Sequence, residues 1–151
     1  MSSEARPRRR MSGIGRVLVV VYAILAIGAS GRSLVQIIER FDQAPLAFTL
    51  SAVSAAVYVV ATLALIFAGS VVWYRIAWVA ISFELVGVLV IGTLSLVRPD
   101  LFPEATVWSH FGMGYLFIPL VLPFLGLWWL ITHPPVRERR EADAAASAVT
   151  S

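Results

Sequence analysis

The 151-residue chain contains no cysteine, lysine or asparagine, and only 14% of its residues are charged. The lack of cysteine excludes structural disulfides and thiolate metal sites. Charge is too scarce for the surface of an ordinary soluble domain, since 59% of the residues are hydrophobic and the mean hydropathy is +0.83. The composition therefore predicts an integral protein of the cell (plasma) membrane.

All twelve basic residues are arginine, and they raise the isoelectric point to about 10. A basic chain can indicate nucleic-acid binding. Here, however, the arginines lie mainly in the two terminal tails, beside apolar stretches, where arginine sets the orientation of a membrane protein. The lipid bilayer is the expected partner, and no nucleic acid is expected.

Four apolar stretches are long enough to cross a hydrocarbon core of about 30 Å, which takes about 20 helical residues. They comprise residues 14–31, 46–68, 72–97 and 111–132. The second and third stretches are joined by little more than Gly69 and Ser70, so they should form a tight antiparallel hairpin. The pattern predicts an all-α fold, a bundle of four transmembrane helices.

Two tails flank the predicted bundle. Residues 1–13 form a basic N-terminal tail, and residues 134–151 form an Arg-rich and then Ala-rich C-terminal tail that we expect to be disordered. The first apolar stretch also has features of a cleaved secretory signal, with small residues around Ala26 and Gly28. We favour an uncleaved anchor, because three further spans follow it.

The distribution of arginine predicts the orientation of the spans. Nine of the twelve arginines lie in the tails or beside the short turn between the second and third spans. Arg32, Arg40 and Arg98 lie at the opposite ends of the spans. Because cytoplasmic segments carry the excess of arginine, both termini are predicted to be cytoplasmic.

Glu84 is the one acidic residue of the third stretch, and it lies nine residues, about 13 Å, beyond Arg75. This places it near the bilayer midplane, where an ionised carboxylate costs about 2.5–3.5 kcal/mol or more. Ala77, Ala80 and Gly87 share its helix face, and such small residues allow another helix to approach closely. We therefore expect Glu84 to point into a helix interface.

The expected partners of Glu84 come from two other spans. Ser54, Tyr58 and Thr62 follow one another at intervals of four residues and form a polar stripe on the antiparallel second span. Tyr22 in the first span is a second candidate. Three roles stay open for Glu84: a neutral packing residue, a protonation site coupled to transport or to a conformational change, or a residue paired with another subunit.

Pro119 and Pro123 are predicted to bend the fourth span, because each removes a backbone hydrogen-bond donor. The bend is either a hinge beside a cavity or a static kink, and we favour the kink because membrane helices tolerate proline. The loop before this span is expected to lie at the membrane surface, in part as a short interfacial helix carrying Phe102 and Trp108.

No pattern in the chain predicts an enzyme. Serine, histidine and aspartate form no grouping typical of nucleophilic catalysis. His110, Asp100 and Glu104 lack the helical ligand spacing of a metal site. No catalytic residue, metal site or cofactor is therefore expected.

The arginine-rich tail leading into MSGIGRVLVVVYAILA, together with VWSHFGMGYLFIPLVLPFLGLWWL, resembles the small four-helix integral membrane proteins of actinobacteria. The resemblance covers most of residues 11–133 and implies no catalytic residues. With so little chain outside the membrane, we expect a structural or accessory subunit, either a homo-oligomer or part of a larger membrane complex. The alternative is a small proton-coupled transporter or channel component that uses Glu84.

Overall fold

The computed structural model describes residues 13–150, which form helices and connecting segments without a β-strand. The all-α prediction is therefore confirmed for this part of the chain. Apart from Gly13, the predicted N-terminal tail lies outside the described residues. The five α-helices are α1 (Gly13–Arg40), α2 (Pro45–Ile66), α3 (Val71–Val97), α4 (Ile118–Thr132) and α5 (Val136–Val149).

Three helices, α1, α2 and α3, are long and apolar enough to cross a membrane. They contain 28, 22 and 27 residues, which corresponds to about 42, 33 and 40 Å at 1.5 Å per residue. Helix α1 continues past its predicted end at Gly31 to Arg40. Helix α2 begins with Pro45, whose fixed φ suits the first turn, where its missing N–H has no intrahelical acceptor.

The fourth apolar stretch is not one continuous helix, which corrects the prediction of a single straight helix over residues 111–132. The chain bends by 98° between the segment Ser109–Tyr115 and α4. Left-handed backbone angles permit this bend: φ lies between 51° and 59° at His110, Phe111, Leu116 and Phe117. Because α4 has only 15 residues, about 22 Å, the described chain has four crossings only if the bent segment and α4 count as one span.

The bend lies before both prolines that the sequence marks as kink sites. Pro119 occupies the first turn of α4, where it starts the helix instead of bending it, while Pro123 lies inside α4. Gly112 has a φ of 79° and packs so closely that a Cβ there would come within 2.8 Å of the Pro119 ring. The change of direction therefore depends on the left-handed segment and on Gly112.

Residues 98–117, here called the α3–α4 connection, are exposed at their start but pack into the bundle over residues 106–109. Trp108, expected in an interfacial helix, is only 2% exposed, and Phe102 is half-buried. Two glycines of α3 make room for the aromatic side chains of this connection. A Cβ at Gly87 would lie 2.7 Å from the Trp108 ring, and one at Gly92 would lie 2.5 Å from the Phe111 ring.

Hydrogen bonds fix the buried part of this connection. The Thr106 N–H donates to Ser109 Oγ (2.9 Å), and the Ser109 N–H donates to Thr106 Oγ1 (3.0 Å). The His110 N–H donates to Ser95 Oγ on α3 at 2.7 Å. Irregular backbone that is buried needs partners for its polar atoms, and these side chains supply them here.

Helix α4 runs antiparallel to α3 and packs along it. The Tyr74 hydroxyl, near the start of α3, donates to the carbonyl oxygen of Leu130, near the end of α4, at 2.7 Å. Deeper in the bundle, a Cβ at Gly126 would lie 3.1 Å from Ile81. The end of α4 therefore lies beside the start of α3.

The C-terminal segment is helical, which corrects the expectation that residues 134–151 are disordered. Helix α5 spans Val136–Val149 and buries none of its residues. Arg137 pairs with Glu141 one turn later (Nε–Oε1, 3.2 Å), and the alanines that follow are the strongest helix formers. Local propensity therefore accounts for this helix without tertiary packing.

Candidate functional site

Glu84 lies at the centre of the bundle, in the middle of α3, and its side chain is fully enclosed with 0% exposure. The small residues expected beside it, Ala77 and Ala80, are also buried, as are Ile81 and Val88. As the spacing of these residues predicts, Glu84 faces a helix interface and not the outer surface of the bundle.

Tyr22 on α1 is the hydrogen-bond partner of Glu84. Its hydroxyl donates to Glu84 Oε2 at 2.6 Å, and its side chain is 0% exposed. Helix α4 packs against this pair at Gly126. A Cβ there would lie 3.4 Å from the Tyr22 hydroxyl oxygen. Three helices therefore meet at this hydrogen bond.

Tyr58, the first expected partner, is bonded to another residue. Its hydroxyl oxygen accepts a hydrogen bond from Trp108 Nε1 at 3.0 Å. Its ring centroid lies 6.3 Å from that of Tyr22, with the two rings tilted by 49°. Tyr58 thus belongs to the same buried cluster as Glu84, and it connects α2 to the α3–α4 connection.

Ser54 and Thr62, the other members of the predicted stripe, satisfy their hydroxyls within α2. Ser54 donates to the carbonyl oxygen of Ser51 at 2.8 Å, and Thr62 donates to that of Tyr58 at 2.7 Å. Serine and threonine in membrane helices form such bonds with the preceding turn readily. Neither hydroxyl is therefore a partner of Glu84.

Trp108 is the member of the cluster that sequence reasoning missed. Besides its bond to Tyr58, its ring lies edge-on to that of Phe83, with centroids 6.3 Å apart. Gly87, one turn after Glu84, is the signal that could have identified it, because a glycine there leaves space for a large ring. We refer to Tyr22, Tyr58, Glu84 and Trp108 as the central polar cluster.

The second carboxyl oxygen of Glu84, Oε1, is buried and has no hydrogen-bond partner among residues 13–150. In the same part of the chain, no arginine or histidine forms an ion pair with Glu84. A buried carboxylate without a cation is costly, and the cost falls when the carboxyl group holds a proton. The site can therefore hold or release a proton, provided that a path to water opens.

Comparisons with protein-family models, with curated proteins and with solved structures give no match. Within the described chain, no group of three or more histidine, aspartate and glutamate residues could hold a metal ion. The central polar cluster links four parts of the chain and presents no exposed carboxyl group to a substrate.

Proposed function

We propose that the protein is a multi-pass protein of the plasma membrane that serves as a structural or accessory subunit of a membrane assembly. The enclosure of Glu84 and its bond to Tyr22 support an internal structural role for the central polar cluster. The function then resides on the outer faces of the helices. The proposal includes the resemblance of this chain to the small four-helix integral membrane proteins of actinobacteria.

The proposed topology has four crossings and two cytoplasmic termini, with the α3–α4 connection and α4 together making the last crossing. The antiparallel packing of α4 on α3 supports it, as does the concentration of arginine in the tails. Because the chain has no cysteine, single cysteines can report the side of the membrane. In spheroplasts, an impermeant maleimide should label Ala105→Cys directly and Ser147→Cys only after permeabilisation. Labelling of both cysteines without permeabilisation contradicts the fourth crossing, and labelling of Ser147→Cys alone contradicts the cytoplasmic orientation of the termini.

The observation on which the subunit proposal rests is the open space beside two glycines of α1. A Cβ at Gly28 or at Gly31 would meet no atom within 4 Å. By contrast, Gly87, Gly92 and Gly126 each contact a side chain of another element. Packing within the bundle therefore does not explain why glycine occupies positions 28 and 31.

These glycines belong to an exposed stripe on the outer face of α1. Ile24, Gly28, Gly31 and Val35 recur at intervals of four, three and four residues, and all four are exposed. That spacing is typical of a helix seam, and small residues allow two membrane helices to approach closely. We infer that a transmembrane helix of another subunit packs on this stripe.

The test is to purify the tagged protein from native membranes in a mild detergent and to identify co-purifying chains by mass spectrometry. A stoichiometric partner, or a second copy of this chain, should be present with the wild-type protein. Gly28→Leu and Gly31→Leu should remove it, because a leucine prevents close helix approach. Ser30→Leu is the matched control, since this exposed residue of α1 lies between the two glycines in sequence but on another face of the helix.

Leucine favours a helix over glycine by up to about 1 kcal/mol, so these substitutions should not weaken α1 itself. Loss of a partner therefore reports on contact with the stripe and not on unfolding of α1. Loss of a partner in both stripe variants, with retention in Ser30→Leu, supports the proposal. A wild-type protein that emerges as a monomer, or a partner that stays bound in both stripe variants, contradicts it.

Proton-coupled transport is the second candidate, and the unpartnered Oε1 of Glu84 favours it. The broken span is also compatible with it, because transporters place sites at interrupted helices. In proteoliposomes with an imposed pH gradient, wild-type protein should then dissipate the gradient, whereas Glu84→Gln should not. Equal gradients in vesicles with wild-type protein and in empty vesicles eliminate this candidate.

A further inference from the structure

Two apolar grooves lie side by side on the outer surface of the bundle, separated by a ridge of α3. The first groove, of about 550 Å³, lies between α2 and α3 and is lined by Ala56, Val57 and Val60 from α2 and by Ile76, Val79 and Phe83 from α3, among others. The second, of about 460 Å³, is formed by side chains of α3 alone and is lined by Trp78, Ser82 and Val86. Val79 and Phe83 line both grooves and form the ridge between them.

Arg75 stands at one end of this ridge. Arg75, Val79 and Phe83 follow one another at intervals of four residues on α3, so they share one helix face. The arginine also lines the first groove. From Arg75, the ridge descends about 12 Å along the helix axis to Phe83, from near the start of α3 towards the middle of the bundle.

The charge of Arg75 is not compensated within the described chain. The side chain is exposed and forms no hydrogen bond or ion pair with another described residue. Arg98 and Arg137, by contrast, pair with Asp100 and Glu141. An anion at the end of the grooves would therefore meet an available guanidinium.

We propose that this surface binds one anionic phospholipid, with its phosphate on Arg75 and one acyl chain in each groove. A guanidinium binds a phosphate with two parallel hydrogen bonds, and its position near the start of α3 matches the level of lipid headgroups. Two apolar grooves on either side of one ridge match the two chains of a diacyl lipid. Trp78 beside the second groove is a residue type enriched at this level of the membrane.

The charge favours an anionic lipid over the other occupants. A partner helix is a single rod and would fill one groove, whereas the two chains of a diacyl lipid fill both. A zwitterionic lipid carries its own cation beside the phosphate, so it gains less from Arg75 than an anionic lipid does. The site is separate from the stripe on α1, so this inference does not depend on the proposed subunit role.

The test uses purified, delipidated full-length protein titrated with phosphatidylglycerol or phosphatidylcholine and observed by native mass spectrometry. One phosphatidylglycerol should bind preferentially, and Arg75→Gln should weaken its binding about tenfold through loss of the charge-assisted hydrogen bonds. Ala56→Trp should also weaken binding, because an indole at this exposed position would occupy the first groove. Arg16→Gln is the matched control, an exposed arginine near the start of α1 and away from the grooves.

Each outcome decides the proposal. Preferential phosphatidylglycerol binding that Arg75→Gln and Ala56→Trp weaken, and that Arg16→Gln leaves unchanged, supports it. Equal binding of the two lipids, or an unchanged titration of Arg75→Gln, overturns it. A dimer that Ala56→Trp dissociates, with no bound lipid, overturns it too and assigns the groove to a second copy of the chain. Unchanged thermal unfolding of the lipid-free variants shows that they remain folded.

Discussion

The hydroxyl of Tyr22 lies 2.6 Å from Oε2 of Glu84, and this hydrogen bond joins α1 to α3 at the centre of the bundle. The two residues are 62 positions apart in the chain, and both are completely enclosed. Within residues 13–150, Tyr22 is the one hydrogen-bond partner of the Glu84 carboxyl group. The stability of the bundle should therefore depend on this hydroxyl.

Tyr22→Phe should lower the free energy of unfolding by about 1–2 kcal/mol, because it removes the bond while keeping the ring. The free energy can be measured by reversible unfolding in mixed detergent–dodecyl sulfate micelles. Tyr115→Phe is the control, since the Tyr115 hydroxyl makes no hydrogen bond with another described residue. Equal stability of Tyr22→Phe and Tyr115→Phe would show that the Tyr22 bond contributes nothing measurable.

A second prediction concerns the hydrogen bond from Trp108 Nε1 to the Tyr58 hydroxyl, which holds the α3–α4 connection against α2. In a double-mutant cycle of Tyr58→Phe and Trp108→Phe, the two substitutions should be non-additive by about 0.5–1.5 kcal/mol. Unfolding free energies of the two single variants and the double variant supply the coupling. Strict additivity would contradict the bond, because the second substitution should cost less once its partner is gone.

Hydropathy and spacing predict the helices and the inward direction of Glu84. An α-helix satisfies its own backbone hydrogen bonds within a membrane, so continuous apolar stretches predict helices, and α2 and α3 begin and end within two residues of the predicted stretches. Ala77 and Ala80 identify the packed face of α3, because small residues at helical spacing allow another helix to approach closely. The sequence predicts both Tyr22 and Tyr58 as possible partners of Glu84. Which of the two hydroxyls reaches the carboxyl group depends on the rotation of each helix about its own axis, and the sequence pattern does not give that rotation.

The course of residues 98–117 depends on information that hydropathy lacks. Hydropathy is the same whether an apolar stretch forms a straight helix or begins with left-handed residues. It therefore predicts a straight span over residues 111–132. Because tryptophan is enriched at membrane interfaces, the sequence predicts a surface position for Trp108. In the structure, Gly87 instead leaves space for the Trp108 ring inside the bundle. Ser54 and Thr62 illustrate the converse: a polar stripe need not face a partner when its hydroxyls bond to their own helix.

Gly87 tests the close packing of Trp108 directly. Gly87→Ala should lower the free energy of unfolding by about 1–3 kcal/mol, because the new methyl group would lie 2.7 Å from the indole ring. This loss should appear although alanine favours a helix over glycine by about 1 kcal/mol. Gly28→Ala, measured on the isolated protein, supplies the control: with open space around it, the same change should stabilise. A stabilised Gly87→Ala would mean that Trp108 does not occupy this site.

The bend before α4 should depend on Gly112. Its φ of 79° is strained for alanine, and a Cβ would also lie 2.8 Å from the rigid ring of Pro119. Gly112→Ala should therefore lower the free energy of unfolding by about 2 kcal/mol or more, since left-handed strain alone costs about 1–2 kcal/mol. The matched control is Gly114→Ala in the same segment, where the Cβ meets nothing within 4 Å and the stability should change by less than about 0.5 kcal/mol.

Both glycine variants of the connection can be compared in the same micelle titration, with near-ultraviolet circular dichroism reporting the packing of the tryptophans. If Gly112→Ala loses stability and Gly114→Ala does not, the left-handed turn at residue 112 holds the connection in the bundle. If the two variants unfold alike, the chain tolerates a side chain at 112. A straight helix through residues 111–132 would then describe the segment better than the bend, because such a helix places no glycine at positive φ.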